Sequence, residues 1–317
     1  MSLEPESTPS QFPLPRREVG VRPVCIIIAG PTASGKTDIA IRVAKHFQTE
    51  IISADSRQCY KELNIGVAKP SAAQLSEVPH HFINSHSIND DLSAADFEGY
   101  ALSAAEKIFE KNDVVVMCGG TGLYIKAFCE GLDPIPKIDP GIKSRLTELY
   151  RQQGLGWLQS EVENADPLFW EKGENQNPHR LLRALEVMQG TGTSLISLQQ
   201  NQKKQRNFGI VKIALDLPRE TLYERINHRV DLMRQEGLKD EARNLFPYKA
   251  LNALQTVGYR ELFDFFEGKI SEERAFELIK QNTRHYAKRQ VTWFKKEGFE
   301  WIDANRFPTD LHGWFHR

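Results

Sequence analysis

Gly30-Pro31-Thr32-Ala33-Ser34-Gly35-Lys36-Thr37 fits the spacing G-x-x-x-x-G-K-[ST], and its flanks fit too. Upstream, Val24-Cys25-Ile26-Ile27-Ile28-Ala29 is an apolar run of strand length; downstream, Asp38-Ile39-Ala40-Ile41-Arg42-Val43-Ala44 reads as a helix. In that order, successive backbone N–H groups and a positive helix end converge on one point and hold phosphate oxygens there. Lys36 adds a mobile charge, and the Thr37 hydroxyl suits Mg²⁺. The chain therefore handles a diphosphate-bearing ligand, although the loop does not say which.

Working outward, Glu50-Ile51-Ile52-Ser53 reads as a second strand that runs into Asp55, and Pro79 to Ile83 starts a third. Ser93 to Lys111 has helical spacing of Phe97, Tyr100, Ala101, Ala104 and Ile108, opened by a Ser93/Asp96 capping box. Asp113 to Cys118 is a buried-type strand, and Gly119-Gly120-Thr121-Gly122 turns into a further helix. Alternating strands and helices predict an α/β fold with a parallel sheet covered on both faces. The pattern changes from Asp139 to Asn201, where Pro140–Gln153, Leu155–Asn164 and Pro178–Gln189 read as helices and no strand is evident. A strand returns at Ile210–Asp216, followed by long helices at Pro218–Phe246 and Ser271–Lys296 and an edge strand at Glu300–Asp303. The expected organisation is a disordered leader at 1–20, an α/β core at 21–138, a helical insertion at 139–201 and core completion at 202–317.

Composition narrows the function class. The 317 residues carry 41 Lys and Arg against 42 Asp and Glu, a net charge of −1, so any attraction to nucleic acid must be local. Cys25, Cys59, Cys118 and Cys129 lack metal-ligand spacing and suit core positions in a reducing cytoplasm. No apolar stretch approaches the ~20 residues of a membrane helix. The leader, with Pro5, Pro9, Pro13 and Pro15, lacks an apolar signal core.

Nucleotide hydrolases place an acid at the end of a central strand to hold Mg²⁺. Here Val114–Cys118 ends in Cys-Gly-Gly, and Asp216 closes a strand far along the chain. The better placed acid is Asp55, at the sheet edge where α/β proteins bind ligands; a turn-capping role competes for it. Basic residues gather at His179-Arg180-Leu181-Leu182-Arg183 and again from Lys280 to Lys296. The second run holds Lys280, Arg284, His285, Lys288, Arg289, Lys295 and Lys296 without an acid, interleaved with Tyr286, Trp293 and Phe294. Such a cationic, aromatic strip suits a nucleic-acid backbone, and a solvated helix face is the competing reading.

These segments together resemble the tRNA dimethylallyltransferases, or tRNA isopentenyltransferases. Besides Gly30–Thr37, the resemblance rests on Asp55-Ser56-Arg57-Gln58-Cys59-Tyr60, Ile65-Gly66-Val67-Ala68-Lys69-Pro70, Pro79-His80-His81 and Ser93 to Phe97. Gly119 to Tyr124, Arg180 to Val187, Val257-Gly258-Tyr259-Arg260 and Thr283 to Trp293 complete it. It implies a P-loop NTPase-like core with a helical insertion that grips the anticodon arm. It also implies Mg²⁺-assisted transfer of a dimethylallyl group from its diphosphate to N6 of adenosine 37 of tRNA. By resemblance, Gly30, Pro31, Thr32, Ala33, Ser34, Gly35, Lys36 and Thr37 bind the diphosphate, Thr37 the metal, Arg229 reaches the diphosphate, and Asp55 is the general base. Asp55, Ser56, Arg57 and Gln58 would meet the target nucleotide. Thr121, Lys143, His179, Arg180, Leu181, Leu182, Arg183, Gln255, Thr256, Val257, Gly258, Tyr259 and Arg260 match tRNA-contacting positions, and Arg284 and Lys288 join them as cations of the late strip. The chain departs from the family pattern at His179 (glutamine is usual), Cys59 (valine) and Tyr286 (leucine). A cytoplasmic monomer is the expected form.

Overall fold

The computed structural model describes residues 22–200 and 202–311, so the expected leader lies outside the described residues. The chain runs β1 (Val24–Ala29), α1 (Lys36–His46), β2 (Ile51–Ala54), α2 (Ala72–Glu77), β3 (His80–His81), α3 (Ala94–Phe109), β4 (Val114–Gly119) and α4 (Gly122–Glu130). Four helices follow: α5 (Pro140–Ala165), α6 (Pro167–Lys172), α7 (Pro178–Thr191) and α8 (Leu195–Leu198). The chain then forms β5 (Gly209–Asp216), α9 (Arg219–Gln235), α10 (Leu238–Leu245), α11 (Tyr259–Phe266), α12 (Glu272–Lys296) and β6 (Glu300–Asp303).

All strands pair in parallel in the order β3-β2-β4-β1-β5-β6. β1 is central, with Ile27 opposite Met117 on one side and Lys212 on the other. Its alternate residues feed two cores. Cys25, Ile27 and Ala29 join Phe97, Phe128, Leu262, Ile279 and Phe294 on one face. Val24, Ile26 and Ile28 join Ile39, Ala40 and Val43 of α1, with Phe307 and Leu311, on the other. Burial on both sides is why the strand reads as an unbroken apolar run rather than an alternating one. Because the strands are parallel, the ends of β1, β2, β4 and β5 emerge at one sheet edge, and that edge carries Gly30, Asp55, Gly120 and Leu217.

The chain divides into two compact units: Glu130–Lys204, and the α/β remainder. In the helical unit, Leu146, Leu158, Val162, Leu181 and Leu185 form a core of their own. α5 contains one non-helical residue, Gly154 (φ 79°, ψ −171°), at the break expected between Gln153 and Leu155. At the neck of this unit Lys204 N–H donates to Glu130 O at 2.7 Å.

The expected Pro218–Phe246 helix is instead two helices, because Gly237 adopts φ 99° between α9 and α10. α2, α6, α8 and α11 have no counterpart in the periodicity reading, since one or two turns hold too few residues to establish a stripe. The Ser93/Asp96 capping box forms as expected. All four cysteines are free thiols. Among the described residues no helix is long and apolar enough to cross a membrane.

Candidate active site

The loop after β1 turns through three left-handed or positive-φ residues, Gly30 (138°), Ala33 (66°) and Gly35 (87°). A side chain at Gly30 would meet Leu215 O of β5 at 2.9 Å, which excludes every larger residue there. α1 starts without a side-chain cap, so its first N–H groups stay open to a ligand. Ser34 is 1% exposed and its Oγ has no hydrogen-bond partner among the described residues, an orphan that an anion in the loop would relieve. Lys36 Nζ donates to Pro31 O at 2.7 Å. Burial lowers its pKa to about 8; Cys118 and Asp55 oppose the shift and the Arg229 charge adds to it. Arg229, on α9, reaches Thr32 Oγ1 at 3.5 Å, and burial lowers its pKa as well.

Part of this loop, with Arg229, lines a cavity of about 1160 Å³. Thr32, Ala33, Gly35, Lys36, Thr37 and Arg229 share it with Asp55, Ser56, Arg57, Gln58, Gln255, Thr256, Val257, Gly258 and Arg260. The turn-capping reading of Asp55 holds for one oxygen: Oδ1 accepts from Arg57 N at 2.8 Å and Gln58 N at 3.2 Å. Those bonds orient the carboxylate and leave Oδ2 as the oxygen for a ligand proton. Thr121, in the turn after β4, accepts from Ser56 N at 3.0 Å and so supports the Asp55–Gln58 turn from behind.

Other expected contacts resolve differently. Gln58 turns its amide onto Ala68 O (3.0 Å) and Val67 O (3.3 Å), pinning the Ile65–Pro70 loop. Tyr259 is fully buried with its hydroxyl on Glu241 at 2.6 Å, and Leu181 is fully buried in the helical core. Neither side chain can touch RNA; both secure the segments that carry their exposed neighbours. In the helical unit Lys143, His179 and Arg180 are exposed and Leu182 and Arg183 half-buried. Arg180 pairs with Glu174 (2.8 Å) and Arg183 with Glu186 (2.9 Å). The basic strip on α12 is not uniformly open. Lys280 pairs with Asp231 at 2.6 Å, and Arg284 donates to Asn227 at 2.6 Å beside Tyr223, so its first half is tied to α9. Lys288, Arg289, Lys295 and Lys296 are exposed.

Sequence reading missed residues that α12 and the Ile65–Pro70 loop bring to the cavity. Ile279, Thr283, Tyr286 and Gln290 line it at spacings of four, three and four, a helical stripe visible in the chain once its other faces are assigned. Burial and the Asp55 charge push the Tyr286 phenol well above its usual pKa. Lys69, also at the cavity, donates to Tyr60 O (2.8 Å) and Asn84 Oδ1 (2.6 Å). Cys118 sits beside Lys36 with its pKa pushed up by burial to about 12, so it is an unreactive thiol.

The chain is 51% identical over 272 residues to the tRNA dimethylallyltransferase of Christiangramia forsetii, covering 86% of this chain and 90% of that one. It is 46% identical to the Flavobacterium johnsoniae enzyme of the same name, covering 92% and 96%. Among solved structures, the tRNA delta(2)-isopentenylpyrophosphate transferase of Staphylococcus epidermidis superposes with a TM-score of 0.65 at 35% identity, covering 92% of this chain and 96% of that one. A eukaryotic dimethylallyltransferase described as acting on tRNA gives 0.68 at 26% identity, covering 92% and 75%. Residues 58–297 match the sequence profile of the IPP transferases, and the chain belongs to that family.

Proposed function

We propose that the protein transfers the dimethylallyl group of dimethylallyl diphosphate to N6 of adenosine 37, beside the anticodon of tRNA, releasing diphosphate, and that it works as a cytoplasmic monomer. The observation that carries this reading is the meeting of a phosphate cradle with Lys36 and Arg229 and a turn-held carboxylate, Asp55, in one cavity. Membership of a family whose relatives bear this activity in their names supports it. Four free thiols suit a reducing compartment.

An exocyclic adenine amine is a weak nucleophile, because its lone pair is delocalised into the ring. The base must first leave its stack to enter the cavity. As N6 bonds to the allylic C1, the C1–O bond breaks and the N6 proton passes to Asp55 Oδ2. Charge gathers on the departing diphosphate, where Lys36, Arg229 and the open N–H groups of α1 offset it. The donor set fits Mg²⁺. This cation keeps most of its waters and takes phosphate oxygens, so it needs few protein ligands; the Thr37 hydroxyl at the cavity would be one, and no group of three or more His, Cys, Asp or Glu side chains placed to hold a metal exists among the described residues. When bound, Mg²⁺ would neutralise developing diphosphate charge. On the tRNA side, Arg180, Arg183, Arg260 and Lys288 would contact phosphates.

The test is incubation with unmodified tRNA and labelled dimethylallyl diphosphate, followed by digestion to nucleosides. Labelled N6-(dimethylallyl)adenosine is expected. Phosphate transfer from ATP without prenylation would overturn the proposal in favour of kinase chemistry.

A further inference from the structure

Gln290 is a polar side chain only 6% exposed, at the junction of three segments that are far apart in the chain. Its Oε1 accepts from Thr32 N–H at 2.8 Å, and its Nε2 donates to Gly120 O at 2.9 Å. The amide thus ties α12 to the phosphate loop after β1 and to the turn after β4. The fit at the turn is close, since a Cβ on Gly120 would lie 2.2 Å from Nε2.

The Thr32 N–H belongs to the same peptide plane as the Pro31 carbonyl, which accepts Lys36 Nζ at 2.7 Å. Gln290 and Lys36 therefore hold opposite edges of one peptide. Fixing that plane also fixes where the Thr32 Oγ1, 3.5 Å from Arg229, can point. From this geometry we infer that Gln290 is a positioning residue for the prenyl-donor site: it sets the Pro31–Thr32 peptide and thereby aims Thr32 and Lys36 at the diphosphate. The inference rests on the reading of the cavity as the donor site. Only an amide meets both demands, because the loop presents a donor and the turn an acceptor. A carboxylate would face the Gly120 carbonyl with a second acceptor, and a thioether would leave both backbone groups unpaired in a buried place.

The test compares Q290M, Q290E, T32A and the T32A/Q290M double variant in steady-state prenyl transfer, with calorimetric binding of inorganic diphosphate and thermal unfolding alongside. Q290M and Q290E should lower kcat ~10²-fold, the scale of an active-site group misplaced by about an ångström. They should also weaken diphosphate about tenfold and leave the KM for tRNA within about two-fold. In the T32A background Q290M should cost far less than in the wild type, since both act on one loop. Should Q290M prove too unstable to assay, G120A pushes the amide aside by contact and must reproduce the kcat loss. Unchanged kcat and diphosphate affinity in Q290M or in G120A, or full additivity with T32A, overturns the inference. If T32A also leaves prenyl transfer intact, the donor-site reading falls as well. If T32A is impaired and Q290M is not, the Gln290 assignment alone falls.

Discussion

Asp55 shows how one carboxylate divides its work. Oδ1 is spent on the N–H groups of Arg57 and Gln58, which holds the side chain in a single orientation. Asp55→Asn preserves the acceptor of that turn and removes the proposed base. Prenyl transfer should therefore slow by ~10²–10⁴-fold in a single-turnover assay, while tRNA and diphosphate binding stay near wild type. Near-normal turnover would remove Asp55 from the chemistry. Glu241 performs the complementary task for the loop that faces it. Its two oxygens accept from Ile65 N (2.8 Å), Gly66 N (2.9 Å) and the Tyr259 hydroxyl. In Glu241→Gln one of those oxygens becomes an NH₂ group facing a donor, so the loop should loosen at a cost of about 1–3 kcal/mol. Amide exchange at Ile65 and Gly66 should then quicken relative to the β1 amides, and unchanged protection would count against the clamp.

At the scale of elements, α5 and α12 show two ways a long helix serves the molecule. α5 is two helical segments joined at a kink, and the break falls on the residue type that tolerates it: Gly154 at φ 79°. A Cβ at this position would have nothing within 4 Å, so Gly154→Ala isolates backbone strain from packing. It should destabilise the helical unit by about 1–3 kcal/mol, read by hydrogen exchange in α5 and α7, with the sheet amides unaffected. α12 runs unbroken for 25 residues and uses different faces for different partners. Ala275, Phe276, Ile279 and Phe294 join the core that holds one face of β1, Ala287 packs against Leu222 and Ile226 of α9, Lys280 and Arg284 bind α9, and Tyr286 and Gln290 reach the cavity. Composition alone marks this helix as a cationic strip, because it counts charges without knowing which neighbour each one meets.

For the whole molecule, a net charge of −1 leaves little long-range attraction for a polyanion, so binding must come from local cations. Arg183→Ala and Lys288→Ala should each weaken tRNA binding and reduce the slope of log affinity against log salt by about one, as expected for one lost phosphate contact. An unchanged slope would return either residue to the solvated surface; the Arg183–Glu186 pair makes that outcome a real contest. The glycine-rich turn between β1 and α1, the parallel α/β core, the break at Gly154 and the placement of Asp55 at the sheet edge were all readable from the chain, because each depends on neighbours within one turn or one strand. Hydrophobic period, capping pairs and glycine spacing are local signals. What folding alone settled were the long-range pairings: Gln290 with Thr32 across 258 residues, Glu241 with Ile65 across 176, and the enclosure of Tyr259 and Leu181. Such contacts carry no local periodicity. Whether a polar side chain faces a ligand, a backbone amide or another helix depends on which distant segment closes over it.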